Sequence, residues 1–178
     1  ECFMAQALET KKLSGKEKTS YGLAAVGKDL CYMLSASYVL YYFQDIMGVS
    51  AAAMGVILLV ARVFDAFNDP IMGIITAKTR TRLGKFRPWL LRATPLLAIT
   101  AIALWTVPTF LDGIPLLVAL FSFKILYEAS YTMFNIPMGS LLSAMSTNDS
   151  ERASLSSARG VGSMIGNMIP GLAGPVIV

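Results

Sequence analysis

The chain has 178 residues, of which 55% are hydrophobic and 15% charged, with a mean hydropathy of +0.61; a soluble domain carries about 25% charged residues. The absence of His and the presence of only two cysteines, Cys2 and Cys31, exclude imidazole or thiolate metal sites, histidine acid–base chemistry and a disulfide framework. The net charge of +4 does not point to nucleic acid, because the basic residues adjoin apolar spans with no stacking platform between them.

The charges are clustered. Between the clusters run stretches such as Ala93 to Leu111 and Gly160 to Val178, each free of charge for 19 residues, enough to cross a hydrocarbon core of about 30 Å as helix. Five apolar spans are predicted, at Tyr21 to Phe43, Ser50 to Ala77, Trp89 to Leu111, Ile114 to Ser143 and Ala153 to Val178. Residues 1–20 read as an N-terminal tail and 21–178 as a helical membrane bundle forming an incomplete half. The apolar stretch Cys2 to Leu8 is too short for a signal sequence with its cleavage site. A first residue other than Met and an end inside the apolar run Leu172 to Val178 make the chain read as a piece of a longer protein.

Basic residues set the orientation. The tail holds Lys11, Lys12, Lys16 and Lys18, and the segment after the second span holds Lys78, Arg80, Arg82, Lys85, Arg87 and Arg92. The turns after the first and third spans carry Asp45 and Asp112 and no Lys or Arg. The positive-inside rule then places the N-terminus in the cytoplasm and Val178 outside. Pro70, Pro137 and Pro170 fall inside spans as a membrane bundle permits, and Gly162 and Gly166 form a GxxxG pair. Such pairs also arise by chance in apolar helices, and the sequence leaves both readings open.

The charges that interrupt the spans are the main clue to function, because an ionisable residue at bilayer depth costs roughly 2.5 to 3.5 kcal/mol and needs a partner or a water-filled cavity. In the second span Arg62, Asp65 and Asp69 share one helix face, with Asn68 beside them. Two carboxylates one turn apart and an amide oxygen are hard ligands suited to Na⁺ or Li⁺, or to sharing one proton. The alternative is an Arg62–Asp65 structural pair with Asp69 near the cytoplasmic interface.

In the fourth span Lys124, Glu128, Tyr131 and Asn135 form one polar stripe, flanked by Thr132. Lys124 and Glu128 read as a neutralising pair one turn apart, and Tyr131 and Asn135 as cavity lining. Lys28 and Asp29 in the first span are adjacent, about 100° apart on a helix, and are expected to edge one cavity without satisfying each other. Arg159, among small residues at the start of the fifth span, reaches the same cavity or snorkels to the cytoplasmic surface.

The residues alone thus describe part of a polytopic transporter with an acidic, oxygen-rich cation site. The blocks SYGLAAVGKDL (Ser20 to Leu30), GVILLVARVFDAFNDPIMG (Gly55 to Gly73), TRTRLGKFRPWLL (Thr79 to Leu91), YTMFNIPMGSL (Tyr131 to Leu141) and ERASLSSARG (Glu151 to Gly160) resemble, in order, the glycoside-pentoside-hexuronide cation symporters, the family of the melibiose transporter. The resemblance implies an all-α membrane protein of the major facilitator type, twelve helices in two halves around a central cavity, of which this chain supplies the first five. The missing C-terminal helices would then be its partners in the same transporter, within the cell membrane.

The resemblance further implies that Asp65, Asn68, Asp69 and Thr132 hold the coupling ion, Na⁺ or H⁺, with no other cofactor, and that Lys28, Asp29, Arg159 and Asn135 contact the sugar, beside Tyr131. Asn135 stands where the melibiose branch has Asp, and Gly139 where that branch has a large aromatic; this form resembles the pentoside and uronide branch. With Asn135 neutral, the sugar-facing charges sum to about +1 and favour an anionic glycoside. The expected function is cation-coupled import of a glycoside, pentoside or hexuronide by alternating access. The competing readings are a proton-coupled exporter or lipid carrier of the same fold and a non-transporting membrane fragment; an enzyme is disfavoured for want of a nucleophile with a positioned base.

Overall fold

A computed structural model describes residues 14–82, 84–145 and 148–177, with side chains as far as residue 172. Cys2 to Leu8, Lys11, Lys12 and the terminal Val178 lie outside the described residues. Five α-helices follow one another: α1 (Gly15–Tyr41), α2 (Ala51–Lys78), α3 (Arg87–Thr106), α4 (Gly113–Met145) and α5 (Asp149–Ile177). A π-helical turn, Tyr42–Ile46, prolongs α1, and a 3₁₀ turn, Val107–Phe110, prolongs α3. Each helix covers one expected span. α2, α3 with its 3₁₀ turn, and α4 are long and apolar enough to cross a membrane by length and composition.

The N-terminal boundary differs from expectation. α1 starts at Gly15 instead of near Tyr21 because Ser14 and Glu17 form half of a capping box: the Ser14 backbone N–H donates to Glu17 Oε2 at 2.9 Å. Lys16 and Lys18 therefore belong to the first turns of a helix and not to a tail.

The chain divides into two compact units, residues 1–38 with 139–178, and residues 39–138. In the first, α1 and α5 meet along a seam of small residues. A Cβ at Gly166 would stand 2.6 Å from the Val26 carbonyl oxygen, and one at Gly162 would run into the Gly22 carbonyl. The expected close contact at Gly162 and Gly166 is thus real, and any side chain there meets backbone. Lys18 pairs with Glu151 at 2.8 Å, and the Tyr38 hydroxyl donates to the Pro170 carbonyl at 2.6 Å. These contacts climb together along both helices, so α1 and α5 run parallel.

The second unit packs α2, α3 and part of α4 around Val39, Phe43, Met54, Ile57, Leu97, Leu104, Leu116, Leu120 and Tyr127. Phe43 stacks on Trp105 with centroids 6.3 Å apart, and Tyr42 meets both rings edge-on. The same cluster joins the start of α2, the end of α3 and the start of α4. α2 and α4 therefore run parallel, with α3 antiparallel between them in sequence.

This unit buries Lys124, Glu128, Ser130 and Thr132 while exposing Val56, Leu59, Val63, Phe67, Ile71 and Ile74 on α2. Polar groups inside and large apolar groups outside suit hydrocarbon and not water. Buried hydroxyls are satisfied locally: Ser130 Oγ donates to the Leu126 carbonyl at 2.7 Å and Thr100 Oγ1 to the Leu96 carbonyl at 2.9 Å. Ser50 caps α2, its Oγ accepting from Ala53 N–H, just after Gly48 takes a φ of 71° that permits the turn. The basic segment between α2 and α3 is pinned by a bond from Trp89 Nε1 to Thr79 Oγ1 at 2.9 Å. Lys78 at the end of α2, Arg80, Arg82 and Lys85 in this segment, and Arg87 and Arg92 in the early turns of α3 are all exposed.

Candidate cation and sugar sites

The expected cation ligands come together within the second unit. Thr132 on α4 is buried, and its Oγ1 donates to Asp69 Oδ1 on α2 at 2.9 Å. One turn earlier on α2, Asp65 Oδ1 is shut off from solvent and has no hydrogen-bond partner among the described residues; the same holds for Asn68 Nδ2. A buried carboxylate oxygen without a partner costs roughly 1 to 3 kcal/mol or more, and native structures seldom leave one. Asp65 and Asn68 thus keep unpartnered buried polar atoms beside an Asp69 that one hydroxyl orients, and carboxylate and amide oxygens are the hard donor type that a small cation takes. The Asn68 amide offers its oxygen in place of its nitrogen by a half-turn about its last torsion.

Arg62 does not close this site. Its Nη1 lies 3.9 Å from Asp65 Oδ2, and its side chain is 60% exposed against 18% for Asp65. At that distance and exposure the pair contributes little, so a structural Arg62–Asp65 pair does not account for the buried carboxylate. Lys124 and Glu128 do form the expected pair, at 2.6 Å, each side chain 5% exposed. Tyr131 and Asn135 follow on α4, both half-buried, and both have partners within the protein.

The first unit holds the other three residues expected to touch sugar. Here one expectation fails: Lys28 Nζ bonds Asp29 Oδ1 at 2.7 Å, so these neighbours satisfy each other directly. Helical geometry separates their Cα–Cβ directions by about 100°, but the four-carbon Lys stem curls back across that gap because both groups are largely buried. Asp29 Oδ2 remains buried with no hydrogen-bond partner among the described residues. Gly166 of α5 packs against Asp29 Cβ and so holds α5 beside that carboxylate.

Arg159 is half-buried. Its guanidinium lies within electrostatic reach of the Tyr21 side chain, and its Nη1 would lie 3.6 Å from a Cβ placed on Gly139. An aromatic at Gly139 would therefore occupy the space that the guanidinium uses. Tyr21 escaped sequence reasoning because an aromatic at the start of an apolar span looks like an interfacial anchor; only the α1–α5 seam reveals it as a neighbour of Arg159.

Residues 20–178 match the MFS/sugar transport protein family. The chain belongs to that family. This MFS/sugar transport chain is 37% identical over 152 residues to a glucuronide carrier protein homolog of Escherichia coli, covering 85% of the chain and 33% of that protein. It is 35% identical over 156 residues to the isoprimeverose transporter of Lactiplantibacillus pentosus, covering 87% and 32%. A putative sulfoquinovose importer of E. coli is 33% identical over 162 residues, covering 90% and 34%. The chain thus spans about a third of the length of the curated relatives it matches. Family membership, exposed apolar helices and buried charges agree on an all-α membrane protein of the major facilitator type.

Proposed function

We propose that this chain is the N-terminal part of a multi-pass symporter that imports an anionic or pentose-containing glycoside together with Na⁺ or H⁺. Asp65, Asn68, Asp69 and Thr132 take the cation, which is cargo, and Lys28, Asp29, Tyr131, Asn135 and Arg159 take the sugar. The observation that carries this reading is the unpartnered buried oxygen of Asp65 next to an Asp69 that Thr132 orients. Names of relatives that carry glucuronide, isoprimeverose and sulfoquinovose support the substrate class, as does the open space that Gly139 leaves for Arg159.

Five bilayer-spanning helices with a cytoplasmic N-terminus fit the six exposed basic residues from Lys78 at the end of α2 to Arg92 in the early turns of α3. The remaining helices of the full-length protein complete the cavity. Coupling is mutual stabilisation: the cation neutralises Asp65 and Asp69, removing charge that opposes closure, and the loaded carrier reorients.

The test is uptake of radiolabelled glucuronide by the full-length protein in membrane vesicles, with Na⁺ and pH gradients imposed separately. One gradient is expected to drive accumulation. Asp69→Asn and Asp65→Asn abolish that accumulation while sugar counterflow partly survives. Undiminished uphill accumulation in both variants refutes the cation assignment, and a clear preference for a neutral galactoside refutes the substrate class.

A further inference from the structure

The buried Lys124–Glu128 pair is the strongest ionic contact of the second unit and has no part in the ligand set above. Its position relative to that set follows from helix register. α2 and α4 run parallel, and the Thr132–Asp69 hydrogen bond ties their registers together. One turn back on α2 stands Asp65, and one turn back on α4 stands Glu128. Glu128 and Lys124 accordingly lie within electrostatic reach of Asp65. The Glu128 carboxylate is thus level with the cation site and would be a third acidic ligand, were it not held at 2.6 Å by Lys124 Nζ. The ammonium is itself steadied over the Tyr127 ring, 5.4 Å from its centroid.

The charge balance is specific. Lys124 offsets Glu128, which leaves the Asp65 and Asp69 carboxylates, with the exposed Arg62 3.9 Å from Asp65 at their edge, as the negative charge that a cation meets. Buried charge is tolerated only when it is matched, so this balance limits what the site will accept.

We propose that Lys124 is a tethered cation that sets the affinity and valence of the coupling site by keeping Glu128 out of the ligand set. This rests on Asp65 and Asp69 being the coupling-ion ligands. Neutralising Lys124 releases Glu128 toward the site as a third carboxylate and makes the site more attractive to cations. Neutralising Glu128 instead frees the ammonium to approach Asp65, where it competes with the ion and in part replaces it. Removing both charges restores the original balance.

The experiment uses the full-length transporter in membrane vesicles, with sugar binding titrated by Na⁺ at fixed alkaline pH and, in parallel, by H⁺ without Na⁺. In Lys124→Met the half-saturating concentration of the coupling ion falls about tenfold, and in Glu128→Gln it rises about tenfold with appreciable sugar binding left when the ion is absent. The double variant returns to within about threefold of the parent. Lys124→Gln, which keeps a polar side chain, repeats the first result should Lys124→Met fail to reach the membrane.

A purely structural pair would weaken binding in both single variants. That result, no change in either single variant, or a double variant as weak as the worse single one overturns the proposal. Asp65→Asn separates the two readings: if it leaves ion dependence intact, the cation site itself is misplaced, whereas loss of ion dependence in Asp65→Asn beside inert Lys124 and Glu128 variants rejects only the role of Lys124.

Discussion

The two units both keep charge inside apolar helices, but they hold it by different means. In the residue 1–38 and 139–178 unit the charged neighbours Lys28 and Asp29 close on each other, and α5 reaches them only because Gly162 and Gly166 present bare backbone. In the residue 39–138 unit the charges lie in a stripe along α4, under a rim of aromatic and aliphatic packing, and one hydroxyl bridges to the neighbouring helix. The first arrangement depends on shape, with little tolerance for added atoms. Each leaves a buried carboxylate oxygen without a hydrogen-bond partner among the described residues, Asp29 Oδ2 in the first and Asp65 Oδ1 in the second, but the second depends on charge balance. Fixed donors and acceptors of the first kind suit recognition of a sugar, and compensating charge of the second kind suits a small cation.

The widest gap between the units is exposed by backbone contact. Gly162→Val puts a side chain onto the Gly22 carbonyl and is expected to cost more than about 3 kcal/mol, with loss of folded protein from the membrane. Gly160→Val, where nothing lies within 4 Å, leaves the yield unchanged; the pair is read by detergent-solubilised expression and thermal unfolding. Comparable loss in both would remove the glycine seam from the account of the first unit.

Breaking the ion pair of that unit comes next. Lys28→Met strands a buried Asp29 charge and is expected to lower stability by about 3 to 5 kcal/mol, with much of the loss recovered in Lys28→Met with Asp29→Asn. Thermal unfolding of the two variants decides it, and absence of recovery would mean that Lys28 contributes packing instead of charge.

Thr132→Val tests the second unit more gently. It removes a hydrogen bond to a carboxylate, about 1.5 to 3 kcal/mol, and should raise the half-saturating cation concentration about tenfold or more with no loss of folded protein. An effect confined to stability would make the Thr132–Asp69 bond structural only.

Thr79→Val carries the smallest effect. It deletes the acceptor of Trp89 Nε1 in the exposed basic segment, costs about 0.5 to 1.5 kcal/mol, and leaves cation and sugar binding unchanged in the same assays.

Much of the candidate cation site is legible in the amino-acid sequence. Asp65 and Asp69 share a face because helices repeat every 3.6 residues, and Lys124 finds Glu128 because one turn separates them. These are local consequences of helical periodicity, which a sequence displays openly. The Lys28–Asp29 contact was hidden because it depends on a side-chain rotamer, and a long flexible Lys can abandon the direction its Cβ points. The approach of Arg159 to Tyr21 joins residues more than a hundred positions apart, and the space for that guanidinium at Gly139 joins two different helices. No periodicity encodes such a meeting.

The amino-acid sequence by itself determined the helical spans, the clustering of basic residues on one side and the residue types available to hold an ion, because hydropathy and helix period act within a single segment. The tertiary structure decided which of those groups are already satisfied and which remain open. Asp69 gained Thr132, and Asp65 was left with a buried oxygen unmatched among the described residues. Those outcomes depend on the register and approach of helices distant in the chain, which packing alone sets.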